Sequence, residues 1–228
     1  MTETRNPADE VGILITRPRS YLIFRSVFTL GRSASLNRKL TALSGVQAGD
    51  RVADIGCGPG DLVRRLAERT GSGGSVTGVD PAPEMVRYAS AHSRHLGNCA
   101  FELAPAQTLP LLDSSVDVVT CTFVMHHIPE AQRPAAVAHM FRVLRPGGRL
   151  LLADTHPHGR ILPAVLRAMG RSAGRKTHDH AAIGPDADPV AALDIRRYRE
   201  LLAQTGFRDI EFSAVRPVTG VLRAVKPG

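Results

Sequence analysis

A few residue groups in this 228-residue chain have the types and spacing to do chemistry. Two adjacent histidines, His126 and His127, sit in "TFVMHHIP" (122–129), and H-x-H pairs recur at His156/His158 and His178/His180. Histidine titrates near working pH, so it can act as a base or ligate a metal. Three glycines, Gly56, Gly58 and Gly60, are spaced as G-x-G-x-G in "VADIGCGPGDL". Asp80 closes the apolar run "SVTGVD". No H-E-x-x-H or C-x-x-C pattern accompanies the histidines, so no native metal site is expected.

The glycines let the backbone turn tightly and let a ligand reach the main chain, beside the free N–H groups of a helix start. A dehydrogenase-type loop would carry a further glycine at position 61, where this chain has Asp61. A carboxylate there repels pyrophosphate, so the expected ligand is nucleoside-like without a phosphate. Asp80 could accept both hydroxyls of a ribose from the end of its strand. The alternative is that it caps the helix that starts at Ala82 or Pro83.

Apolar runs of strand length alternate with helical patterns, which is the order of a parallel sheet covered by helices. Strands are expected over 50–56, 75–80, 99–104, 116–123 and 149–155, with helices over 60–71, 82–97 and 129–148 between them. A helix over 192–206 and two strands, 208–215 and 218–225, follow, the strands forming a hairpin around Arg216-Pro217. Residues 1–16 read as a frayed tail and 17–228 as one domain. Within it, the aromatic-rich 17–48 forms a helical cover over the site, with a membrane-surface contact as the alternative. The Gly-, Ala- and Asp-rich 156–189 reads as a lid or insertion.

Hydrophobic residues make up 43% and charged residues 22%, ordinary proportions for a soluble domain. Aromatics are only 4%, so aliphatic side chains must build the core. The net charge of +8 is dispersed along the chain and reads as a solvated arginine-rich surface rather than a nucleic-acid footprint. Cys57, Cys99 and Cys121 are odd in number and lack ligand spacing, which fits a reducing cytoplasm. No apolar run is long enough for a transmembrane helix.

The pieces "VADIGCGPG", "VTGVDPAPEMVRYA", "TLPLLDSSVDVVTC", "FVMHHIPE" and "RVLRPGGRLLLAD" occur in one order over about 49–155, and "LLAQTGFRDIEFSAV" follows. Together they resemble the class I S-adenosylmethionine-dependent methyltransferases, in the small-molecule branch that includes ubiquinone/menaquinone-type C-methyltransferases. The resemblance implies an α/β, Rossmann-like sheet of seven mostly parallel strands, with helices on both faces and a C-terminal antiparallel hairpin. It implies S-adenosylmethionine as cofactor, giving S-adenosylhomocysteine as product. Asp54 and the Gly56, Cys57, Gly58 and Gly60 backbone would hold the methionine end. Asp80 would bind the ribose, and Pro81 and Met85 would flank the adenine. Ala106 and Gln107 would close on the adenine, and Cys121 would lie near the sulfonium. Family members usually have an acidic residue where Pro105 stands in "ELAPAQTLP"; proline cannot accept the adenine amino group's hydrogen bond. Either Gln107 compensates or that bond is missing or water-mediated.

Ligands of open α/β sheets bind beyond the carboxyl ends of the strands. His126 and His127 follow the fourth strand at that edge, and Asp154 and His156 follow the fifth. His126 is the first candidate for a base facing a methyl acceptor. His127 is expected to pack near the following helix start, and His156 is a further catalytic candidate. The reaction implied is methyl transfer to a small or lipophilic acceptor at oxygen, nitrogen or carbon, by a monomer or homodimer. Two alternatives are a nucleic-acid-directed methyltransferase, which lacks its Pro-Pro-aromatic signature here, and a non-catalytic S-adenosylmethionine-binding protein.

Overall fold

The computed structural model describes residues 17–18, 31–156, 194–215 and 218–228. Their centre is a seven-stranded sheet: β1 (Arg51–Ile55), β2 (Ser75–Asp80), β3 (Cys99–Leu103), β4 (Val116–Thr122), β5 (Leu144–Thr155), β6 (Arg208–Val215) and β7 (Thr219–Val225). The order across the sheet is β3-β2-β1-β4-β5-β7-β6. The first five strands run parallel, and β7 is antiparallel to both β5 and β6. This is the α/β architecture and terminal hairpin expected from the sequence.

Parallel strands covered on both faces read as continuous apolar runs, and alternate residues serve opposite layers. Val52, Val76, Val118, Leu151 and Ala153 pack on one side with Leu40 of α1 (Ser33–Leu43) and with Leu62, Val63, Leu66 and Ala67 of α2 (Asp61–Thr70). Ala53, Ile55, Val119, Cys121, Leu150 and Leu152 face the other side. There they meet Ala136, Val137 and Met140 of α4 (Arg133–Val143) and Leu202 of α5 (Arg199–Thr205). Each such valine, leucine, isoleucine or methionine contributes about 2 kcal/mol by leaving water. The helix α3 (Pro83–His92) lies against β2 and β3 and buries Met85 and Ala89.

Several boundaries differ from the sequence expectation. The helix expected to reach residue 97 stops at His92, where Ser93 leaves helical geometry and Leu96 N–H turns back to the Ser93 carbonyl. The helix expected over 129–148 is a 3-10 turn, Glu130–Gln132, followed by α4, which ends at Val143. Pro146, Gly147 and Gly148 belong instead to an irregular start of β5, where the pairing with β4 jumps from Leu144 to Arg149. The bulge stays closed because Gly147 N–H donates to the Lys226 carbonyl and Lys226 N–H to that of Gly148. The helix expected over 192–206 is a 3-10 turn, Ile195–Tyr198, leading into α5. The 1–16 tail, most of the 17–30 part of the cover, the 157–189 part of the lid and the Arg216-Pro217 turn lie outside the described residues.

Candidate active site

The carboxyl ends of β1, β2, β4 and β5 meet along one edge of the sheet because these strands are parallel neighbours. At β1 the chain leaves through Gly56, Gly58 and Gly60, whose φ angles of +71°, +52° and +79° lie in the left-handed region that favours glycine. A Cβ on Gly56 would stand 2.1 Å from Val124 Cγ2, so the turn is pressed against the loop after β4. Gly60 then caps α2. Asp61 sits in the first turn and is bonded to Arg64, which also donates to the Pro59 carbonyl at 3.0 Å. Cys57 is buried; Gly78 in β2 leaves space for its sulfur, because a Cβ there would lie 2.9 Å from Cys57 Sγ.

Two carboxyl groups flank this turn. Asp80 Oδ2 accepts from Gly58 N–H at 2.8 Å, and Oδ1 accepts from Ala82 N–H at 2.9 Å. It therefore ties β2 to the glycine turn and bonds the Ala82 N–H just ahead of α3, while no side chain caps the helix itself at Ala82. Burial pushes its carboxyl up, and the two backbone bonds oppose that. Asp54 is 1% exposed, and the Thr120 hydroxyl donates to its Oδ1 at 2.6 Å. Burial pushes Asp54 up to about 7; the Thr120 bond opposes this and the nearby Asp80 charge adds to it. Thr120 was not singled out from the sequence. It is a polar residue inside a strand buried along its length, and it faces Asp54 through the β1–β4 register.

The adenine-side candidates lie on the β2 and β3 ends of the same edge. Pro81 follows β2, and Met85 is buried in α3. Ala106 and Gln107 form a 3-10 turn, Ala106–Thr108, with Pro105 just before it. The Gln107 amide nitrogen donates to Gln132 Oε1 at 2.5 Å, a contact between segments distant in sequence. Cys121 is wholly buried within β4, and burial, aided by the Asp154 and Asp54 charges, pushes its thiol well up. Among the described residues it belongs to the core packed under the edge.

β4 ends at Thr122 rather than Phe123, which turns the chain with a left-handed φ of +59°. A bulky residue in this region is strained, and such strain is found where a site must be held in place. The 3-10 turn Met125–His127 follows. Arg133 at the start of α4 holds it, its Nε donating to the carbonyls of Met125 at 3.1 Å and Ile128 at 3.0 Å. The two histidines then differ. His126 is exposed by 34% at its side chain, and its Nδ1 lies 2.7 Å from Asp154 Oδ1. His127 Nδ1 is buried without a hydrogen-bond partner among the described residues. Burial and the neighbouring His126 push His127 down to about 4, against a smaller opposite pull from Asp154. His156 stands elsewhere: its Nδ1 is 3.0 Å from Asp194 Oδ1, and its ring meets Phe212 edge-on at 4.9 Å.

The structure thus brings Asp54, Gly56, Gly58 and Asp80 around one turn, and His126 and Asp154 into one couple beside it. It gives His156 different partners. Among the described residues no group of three His, Cys, Asp or Glu could hold a metal ion; His158, His178 and His180 lie outside them. Left-handed glycines and two carboxyls around a turn whose nearby Arg64 is engaged by Asp61 and the Pro59 carbonyl fit a nucleoside-type group with a positively charged end.

Comparison with known proteins places the chain among methyltransferases. The profile of a methyltransferase domain family matches residues 52–148. The ubiquinone/menaquinone biosynthesis C-methyltransferase UbiE of a Marinomonas species is 33% identical over 225 residues, 91% of this chain and 85% of that protein. UbiE of Teredinibacter turnerae is 33% identical over 159 residues; that match covers 67% of this chain and 63%, less than two thirds, of the relative. The crystal structure of an S-adenosylmethionine-dependent methyltransferase from Aquifex aeolicus superposes with a TM-score of 0.65 at 21% identity, covering 83% of this chain and 89% of that one. At that identity the likeness is one of fold.

Proposed function

The chain belongs to the class I S-adenosylmethionine-dependent methyltransferases, and from that premise we propose that it methylates a small or lipophilic organic acceptor at the carboxyl edge of β4 and β5. The observation that carries the proposal is the glycine turn with Asp80 bonded to Gly58 N–H and Asp54 buried beneath it. The cofactor supplies a sulfonium-bound methyl group open to in-line displacement. The glycine backbone and Asp54 bind its methionine end, Asp80 its ribose, and Pro81, Met85, Ala106 and Gln107 its adenine. The methionine ammonium would offset the cost of an ionised Asp54 in a buried place. His126 is the base for an acceptor that must lose a proton, held in line with the methyl group. His127, half-buried and neutral over the working range, shapes the turn.

The relatives named for ubiquinone and menaquinone biosynthesis support a quinone-precursor ring as the acceptor. Such an acceptor is lipophilic, and a peripheral encounter with a membrane surface suits it. Among the described residues no helix is long and apolar enough to cross a membrane. The unpaired cysteines support a reducing, cytoplasmic setting.

A calorimetric titration with S-adenosylmethionine, followed by a labelled-methyl assay on hydroquinone-type acceptors, tests the proposal. Saturable binding and label transfer support it. No binding at millimolar cofactor would end it, and binding without transfer to any aromatic acceptor would remove the acceptor class.

A further inference from the structure

We propose that Asp154 is the positioning residue of the acceptor side: it holds a proton on His126 Nδ1 and so leaves Nε2 as the atom that receives a proton from a hydroxyl-bearing acceptor. The inference deepens the reading of the β4–β5 edge as the acceptor site and rests on it.

Asp154 is 2% exposed near the end of β5, one strand over from the histidine turn. Its Oδ1 lies 2.7 Å from His126 Nδ1 and accepts from Thr155 N–H at 2.8 Å. Two partners on one oxygen fix the rotation of the carboxyl group. The histidine is fixed from its own side as well. His127 N–H closes the turn onto the Val124 carbonyl at 2.8 Å, and Arg133 holds the carbonyls of Met125 and Ile128. Turning the Asp154 carboxyl away would break its bond to Thr155 N–H, and the backbone that carries His126 is pinned on both sides.

A carboxylate only accepts, so the contact requires Nδ1–H, and a neutral imidazole then carries its lone pair at Nε2. The titratable groups that feel the Asp154 charge come from several packed elements: Cys121 from β4, His127 from the same turn and Tyr198 from the 3-10 turn Ile195–Tyr198, with Arg133 of α4 beside Tyr198. Asp154 supplies the negative charge against His126 itself. The neighbouring His127 has no such partner on Nδ1. The adjacent histidines are therefore chemically distinct, and only His126 combines an exposed ring with a buried carboxylate.

The proton step balances simply. The acceptor O–H bond breaks, an Nε2–H bond forms, and the bonding pair stays on the acceptor oxygen. The imidazolium charge rests against the Asp154 carboxylate until the proton passes to water. This suits phenols, enols and hydroquinones, whose nucleophilic oxygen or ring carbon is activated by loss of that proton; a free amine needs no such help.

The test is the histidine tautomer in the full-length protein, labelled with nitrogen-15 and read by long-range proton–nitrogen NMR at pH 8, with His126→Gln assigning the signals. Nδ1–H with unprotonated Nε2 on His126 is expected. In Asp154→Asn the Nε2–H form should rise to a comparable population, because an amide can donate to Nδ1 as well as accept from it. An Nε2–H tautomer in the unmodified protein, or an unchanged spectrum in the folded Asn variant, overturns the proposal. Should the variant fail to fold, the unmodified protein decides alone. S-adenosylmethionine calorimetry on the same samples separates the two readings: lost cofactor binding in the unmodified protein counts against the methyltransferase reading, whereas the tautomer result bears only on Asp154.

Discussion

The two halves of the candidate site are built by different means. At the ends of β1 and β2 the recognising parts are mostly backbone: left-handed glycines, their N–H groups, and a carboxylate that ties Gly58 to Ala82. At the ends of β4 and β5 they are side chains from distant segments, His126 and Asp154, brought together by strand order, with Arg133 bonded to the backbone of the histidine turn. The contrast suits the tasks. A cofactor common to a family can be read by main-chain geometry, whereas an acceptor and its proton chemistry need side chains that can differ between members.

Substitutions in each half should break different things. The largest effect is expected from Gly56→Ala. Its Cβ would meet Val124 and its backbone is left-handed, a combined cost of about 4 kcal/mol. Thermal or denaturant unfolding should show that loss, and Val124→Ala should restore part of it. No change in stability would mean the two loops are not pressed together. Next, His126→Gln should lower the turnover of a hydroxyl-bearing acceptor by about 100-fold, roughly 2.7 kcal/mol, in steady-state assays. Cofactor affinity should stay unchanged. A parallel loss of both would erase the distinction between the halves. Asp80→Ala should weaken cofactor binding by about 30-fold, roughly 2 kcal/mol, in calorimetry; unchanged affinity removes Asp80 from the ribose role.

The smallest effect in the parent protein is the net of two opposed pH slopes that nearly cancel. Asp54 is raised to about 7 from an ordinary 3.8, so between these values the folded protein binds a proton that the unfolded chain does not. Its contribution falls as pH rises through that window, by about 1.4 kcal/mol per unit. His127 is lowered to about 4 from 6.5, so in that window the unfolded chain binds the extra proton, and its contribution is lost as pH falls. The two slopes cancel between about pH 4 and 6.5. Relative to the parent, Asp54→Asn should gain a rising stability curve across that range and His127→Gln a falling one. Melting temperatures at fixed ionic strength measure both, and superimposable curves would contradict the neutral states of these groups.

The legibility of the site follows the same division. The glycine spacing, the apolar strand before it and Asp80 are local features, and left-handed backbone is signalled in sequence by glycine itself. The Phe123 turn was not legible, because nothing in its residue type calls for a positive φ; packing at the end of β4 imposes it. The ends of α3 and α4 were overrun for a related reason. Helix propensity continues past His92 and Val143, whereas turn and sheet hydrogen bonds claim the chain there.

By itself, then, the sequence determined the alternation of strands and helices, the parallel sheet with its terminal hairpin, and the family that the ordered motifs represent. Periodicity and turn chemistry act over a few residues and can be read along the chain. Only the tertiary structure decided that Thr120 meets Asp54, that Gln107 meets Gln132, and that His126 rather than His127 meets Asp154. Those pairs depend on which strands become neighbours and in what register, and that is settled by burial of both sheet faces at once.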